Sequence, residues 1–213
     1  MRTLIYIDGF NFYYRAVKGT PYKWLDFKSL FTHLLDKEHK IERIKYFTAI
    51  VTGKIDPRQP IRQMTFIRAL QKHIPELEVY YGQFSTHIRV LPLAHNLKQK
   101  NLKDRMFYLP VIRTEEKGSD VNLAVHLLND AWSNEFDCAV VVSEDSDLAE
   151  ALKLVSQQKD KTIGVINPRL GNNPPKTLKQ YATFYKVIRK GVLKISQLPD
   201  PIPGTTIRKP SEW

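Results

Sequence analysis

Apolar and polar positions along this chain fall into short blocks whose period changes from one block to the next. Residues 4–7 form an uninterrupted apolar run closed by Asp8-Gly9. Residues 11–17 then open polar and continue through aromatic and aliphatic positions, as a strand leading through a turn into a helix does. Asp26 stands where it can cap a helix carrying Leu30, Phe31, Leu34 and Leu35 at helical spacing, and residues 41–51 alternate toward a second strand. Residues 57–74 predict a helix with Pro57 and Pro60 in its first turn, where a missing N–H costs least, and residues 77–84 predict a third strand. From 120 to 132, Val121, Ala124, Val125, Leu128 and Trp132 share one helical face. Residues 139–142 read as a continuous apolar strand, 148–155 as the next helix and 161–166 as the next strand.

Strands alternating with helices of this length predict an α/β fold with a parallel, doubly wound sheet, because each crossover must cover a face of the sheet. Residues 86–113 break the rhythm: strand-like stretches at 88–93 and 106–112 flank a basic stretch with Lys98, Lys100, Lys103 and Arg105. This segment reads as a basic insertion within one domain spanning residues 1–190. Residues 191–213 hold Pro199, Pro201, Pro203 and Pro210 among few apolar positions and read as an extended, proline-rich tail. The sequence has no internal repeat and no low-complexity tract.

The 213 residues carry 33 Lys and Arg against 22 Asp and Glu, a formal charge of +11. Such an excess on one compact domain favours a polyanionic partner, nucleic acid first, although it also serves solubility. Cys138 is the sole cysteine and falls in a strand-like run, so no intramolecular disulfide can form and a reducing compartment fits. The N-terminal apolar run is too short for a signal peptide, and no later stretch is long enough to cross a bilayer. The expectation is a soluble protein of the bacterial cytoplasm with no membrane partner; its oligomeric state is open, a homodimer included.

In an open parallel sheet, ligands bind beyond the carboxyl ends of the strands. Asp8 closes the first strand, Asp145 and Asp147 follow the strand at 139–142, and Asp120 opens the helix before that strand. Four carboxylates converging there would repel one another unless a cation joined them, and oxygen donors without paired Cys or His suit Mg²⁺ or Mn²⁺. Each acid also has a plainer role as a helix cap. Glu115, Glu116, Asp130 and Glu135 read as solvated surface charges. Asn11, three residues after Asp8, can hold a water, a carboxylate or a phosphate oxygen, or cap its helix. Lys117-Gly118-Ser119 sets a cation and a hydroxyl ahead of a helix N-terminus, a turn suited to phosphate.

Three blocks then stand out in order: Tyr6-Ile7-Asp8-Gly9-Phe10-Asn11-Phe12-Tyr13-Tyr14, Lys117-Gly118-Ser119-Asp120-Val121-Asn122-Leu123-Ala124 and Val142-Ser143-Glu144-Asp145-Ser146-Asp147-Leu148. Together they resemble the signature blocks of the NYN domain family, with its LabA-like members, in the PIN-like nuclease superfamily. The resemblance covers about residues 2 to 167. It implies a PIN-like three-layer α/β/α fold and a metal-dependent RNA endonuclease, with Asp8, Asn11, Asp120, Asp145 and Asp147 on the family's site positions. The chain departs from the pattern twice: His126 stands where members commonly carry a second helical acid, and Glu144 where they commonly carry Gly. Some relatives carry an oxygenase label from pyridine breakdown; neither a Gly-x-Gly-x-x-Gly fingerprint nor a two-His-one-carboxylate pattern is evident here.

The expected mechanism has Asp8, Asp120 and Asp145 holding one or two ions, with Asp147 and Asn11 positioning them or the attacking water. Lys98, Lys100, Lys103, Arg105 and Arg113, with Lys117, would guide single-stranded or structured RNA, and Phe10, Tyr13 and Phe107 are candidates to stack on bases, core packing being the stronger reading for Phe10. The rival reading is an RNA-binding module of the same fold with a degraded metal site. A haloacid-dehalogenase-type phosphohydrolase expects a second Asp where Phe10 stands.

Overall fold

The computed structural model describes residues 1–54, 56–93 and 108–213. The strands are β1 (Arg2–Asp8), β2 (Lys40–Thr48), β3 (Leu77–Tyr81), β4 (Gln83–Pro92), β5 (Tyr108–Lys117), β6 (Cys138–Val142), β7 (Thr162–Asn167) and β8 (Phe184–Val187). The helices are α1 (Gly9–Phe12), which runs on into a π-helical turn at Tyr13–Val17, α2 (Phe27–Leu34), α3 (Gln59–His73), α4 (Ser119–Trp132), α5 (Ala149–Ser156), entered through a 3₁₀ turn at Ser146–Leu148, α6 (Lys176–Lys179) and α7 (Lys190–Ile195).

Six of these strands make one parallel sheet in the order β3-β2-β1-β6-β7-β8, and helices cover both faces. The central strand β1 is buried from Thr3 to Asp8, which is why it reads as an unbroken apolar run. Its side chains alternate between two cores. Ile5 and Ile7 pack in the layer with Phe12, Leu30, Phe31 and Leu70, while Leu4 and Tyr6 pack with Leu123, Leu127 and Leu152. Each fully buried Leu or Ile contributes about 1.5–3 kcal/mol, so the two layers hold β1 from both sides. The strand order reverses between β1 and β6, the point at which the loops leaving the carboxyl ends of an open parallel sheet part and leave a crevice.

Four regions differ from the reading of the sequence. The third strand breaks at Gly82, whose N–H turns to the Thr48 carbonyl at 2.7 Å. A Cβ at Gly82 would meet the Lys117 carbonyl at 2.7 Å, so the chain leaves the sheet only by passing tight against the end of β5. The described part of the basic insertion is the antiparallel ribbon β4–β5, with Ile88 opposite Ile112 and Val90 opposite Pro110. Lys98, Lys100, Lys103, Arg105 and Phe107 lie outside the described residues.

Helix α4 turns a different face inward from the one expected. Leu123, Leu127, Asp130 and Ala131 are buried, whereas Val121 and Trp132 are 65% and 66% exposed. Asp130 is no surface charge: it accepts hydrogen bonds from Tyr6 Oη and Lys45 Nζ, both at 2.6 Å. That buried pairing rotates the helix. Finally, residues 191–213 begin inside α7 and then run irregularly but pinned to the core. Trp24 Nε1 donates to the Pro199 carbonyl at 3.1 Å, Leu198 and Ile202 are buried, and Trp213 packs against Trp24 and Phe66. No helix among the described residues is long and apolar enough to cross a membrane.

Candidate active site

The crevice between β1 and β6 is wired by one hydroxyl. Asp8 ends β1 with 2% exposure; its Oδ1 accepts from the Asn11 backbone N–H at 3.0 Å, capping α1, and its Oδ2 accepts from Ser143 Oγ at 2.8 Å. Ser143 Oγ in turn accepts from the Asp145 N–H at 3.0 Å. Asp145 caps the following 3₁₀ turn by accepting from the Asp147 N–H at 3.0 Å, and Asn11 Oδ1 accepts from the Glu144 N–H at 3.4 Å. The capping roles are therefore real for Asp8 and Asp145, yet a carboxylate oxygen that accepts one N–H keeps a lone pair for another partner.

Asp120 is placed differently. It lies in the first turn of α4, but the start of that helix is already served. Gly118 takes a left-handed conformation at φ 95°, and Glu116 accepts from the Ser119 N–H at 3.0 Å and from Ser119 Oγ at 2.7 Å. Glu116 is thus a capping residue and not the solvated charge it appears in sequence, and Asp120 is left with no hydrogen bond or ion pair from the described residues. Burial first, then repulsion from Asp8, Asp145, Glu116 and Asp147, pushes its carboxyl up to about 7. The Asp8 carboxyl is also raised, mainly by burial and further by Asp145, against the opposing hydrogen bonds from Asn11 and Ser143.

None of Asp8, Asp120, Asp145 and Asp147 forms an ion pair with a cation among the described residues, while the neighbouring Glu144 is gripped by both Arg15 and Arg169, the latter at 3.1 Å. The extra acid of the last block is consequently neutralised. His126 packs 4.0 Å from the Tyr80 ring and 5.6 Å from Phe47, and burial with nearby Lys45 lowers its pKa. It adds nothing to the carboxylate set.

The all-oxygen donor set and its uncompensated charge suit a hard divalent cation. Among the described residues, however, no three His, Cys, Asp or Glu side chains stand close enough together to hold an ion. The carboxylates share an electrostatic field without forming a closed coordination shell. Lys117 is exposed at the end of β5, and Arg113 is tied to Glu115 on the same strand. Arg15 and Arg169 escape the sequence reading, which takes Glu116 for a surface charge and Ser143 for no more than a cap; the Ser-x-Asp-x-Asp spacing of Ser143, Asp145 and Asp147 is the signal that points to Ser143.

A six-stranded parallel sheet flanked by helices on both faces fits the PIN-like α/β fold. A solved structure of a Vibrio parahaemolyticus protein of unknown function, VPA0982, shares this fold with a TM-score of 0.51 at 19% identity, over 89% of this chain and 93% of that one. Within the class, the chain belongs to the NYN domain family, whose model matches residues 2–188. A curated relative from Pseudomonas putida (strain DSM 28022 / S16), named 6-hydroxy-3-succinoylpyridine 3-monooxygenase HspA, is 34% identical over 238 aligned positions, covering 100% of this chain and 75% of the relative.

Proposed function

We propose that this protein is an Mg²⁺- or Mn²⁺-dependent endoribonuclease. The observation that carries the reading is the gathering of Asp8, Asp120 and Asp145 from three chain segments around one crevice, with Asp120 free of any capping duty and in the repulsive field of the others. As they stand the carboxylates are too far apart to share an ion; Asp8, Asp120 and Asp145 would hold it by closing around it, with Asp147 and Asn11 beside them. An ion bound there would supply a water of lowered pKa and offset charge on the scissile phosphate. Asn11 and Ser143 keep the Asp8 carboxylate oriented by their hydrogen bonds. Hydrolysis in this manner leaves a 5′-phosphate and a 3′-hydroxyl. The net charge of +11, with Lys117 and the basic segment at Lys98, Lys100, Lys103 and Arg105, draws the RNA backbone in.

The open arrangement of the carboxylates favours a second reading, an RNA-binding module that does not cut. Calorimetric titration with Mn²⁺ separates the two: saturable binding that is lost in Asp145→Asn supports the nuclease, and no binding heat at pH 8 supports the module. The relative's name adds a third activity to test, oxygenation of a hydroxypyridine, for which product analysis after incubation with such a compound is the direct assay.

A further inference from the structure

Beside the aspartate crevice lies a cavity of about 480 Å³, well above the water-sized voids that ordinary core packing leaves and within the range of ligand pockets. Gly9 and Phe10, which directly follow Asp8, form part of its wall, and Tyr46 and Thr48 from the carboxyl end of β2 form another part. A Cβ on Gly9 would meet the Tyr46 ring at 2.8 Å, so the glycine lets that ring reach the crevice side of the cavity.

The lining is rich in aromatic side chains. Phe12, Phe27 and Tyr46 in the lining are buried, Tyr13 and Trp213 are half-buried, and Tyr14 is exposed. The charges at the rim balance. Arg62 is paired with Asp56 and stands 3.9 Å from Glu212, and Lys23 lies 6.0 Å from the Trp213 ring centre. A cavity lined by two cations and two anions does not select a phosphate or another strong anion. Gln63 is fully engaged with the Val51 N–H and the Ala49 carbonyl, but the Gln59 amide has no hydrogen-bond partner among the described residues and offers a donor and an acceptor to a ring edge.

We propose that this cavity is a binding site for a planar, uncharged heteroaromatic ring, stacked between Tyr14 and Trp213 and read at its edge by Gln59. Two sources carry that chemistry: an unstacked RNA base whose phosphate lies at the neighbouring aspartates, or a free pyridine-type compound. The first rests on the nuclease reading and the second does not.

Ligand-observed NMR titrations of the full chain with adenosine, uridine, 2-hydroxypyridine and, as a ring-free control, ribose test the proposal. None of these probes carries a phosphate, so the readout is independent of the aspartates and of metal. Saturable binding of a ring-bearing probe is expected, with none for ribose. Tyr14→Ala and Trp213→Ala should each weaken it about tenfold while retaining the circular dichroism of the parent. Binding of nucleosides alone assigns the site to an RNA base, and binding of the pyridine alone assigns it to a free small molecule. Absence of saturable binding by every ring, or undiminished binding in a folded Tyr14→Ala variant, overturns the proposal. In either event the effect of Asp145→Asn on RNA cleavage is a separate result, so the two readings fail separately.

Discussion

Asp120 is the residue where folding and function conflict most directly. The folded protein keeps its proton until about pH 7, whereas an unfolded chain releases it at the ordinary 3.8. Between those values the folded state binds the extra proton, so the stability this group contributes falls as pH rises from 3.8 through about 7 and stays lost above. Asp120→Asn should therefore raise Tm by a few degrees at pH 8 and by less at pH 5, read by thermal melts. Mn²⁺ should raise the Tm of the parent at pH 8 and leave that of the variant unchanged, because the ion relieves the same repulsion. A lower Tm for Asp120→Asn at pH 8 would mean the carboxylate is a structural partner. Asp130 shows the opposite case. Its carboxylate sits between Tyr6 and Lys45 in the layer under α4, so Lys45→Met should cost about 3–5 kcal/mol by urea denaturation. Adding Asp130→Leu should recover much of that loss, since the uncompensated charge is then gone.

At the scale of elements, legibility followed burial on both faces. The strands β1 and β6 are readable because their apolar runs suit burial between two helical layers, and the acids are readable because Asp8 ends β1 and Asp145 lies in the loop that follows β6. Helix α4 was legible as a helix, but its inward face was not. Val121, Val125 and Trp132 satisfy the helical period as well as Leu123, Leu127 and Ala131 do, and only the burial of Asp130 against Lys45 decides between them. Glu116 reads as a surface charge because a cap set three residues before Ser119 acts across a turn that sequence spacing does not show. The edge strand β8 is half-exposed and carries too little pattern to be seen, and the tail after Ile195 is held by isolated contacts of Leu198, Ile202 and Trp213, which have no period. The join of β1 to α1 makes a prediction of its own. A Cβ at Gly9 would meet the Phe47 carbonyl at 2.6 Å, and a backbone atom has little room to yield. Gly9→Ala should cost about 1–3 kcal/mol in a denaturant titration and displace Asp8 from Ser143, lowering cleavage along with stability.

For the molecule as a whole, the proposed function gives different tasks to different regions: long-range attraction to the basic residues behind the charge of +11, and chemistry to the acids at the sheet's reversal point. Neutralising Lys98, Lys100, Lys103 and Arg105 together should weaken RNA binding about equally for all sequences. It should also flatten the slope of log K against log salt by about 3, since each phosphate contact on a single strand contributes about 0.7. Metal affinity should not change. An unaltered salt slope would move the RNA path to the Lys117 side of the crevice. The central claim, that the clustered aspartates cut RNA with a divalent ion, is tested most directly by incubating purified protein with a 5′-labelled single-stranded RNA under Mn²⁺, under excess EDTA, and as Asp145→Asn. The account predicts internal cleavage leaving 3′-hydroxyl ends only for the parent with Mn²⁺, loss in EDTA with recovery when Mn²⁺ is restored, and a folded but inactive variant. Equal cleavage in EDTA, or by a folded Asp145→Asn protein, would contradict it.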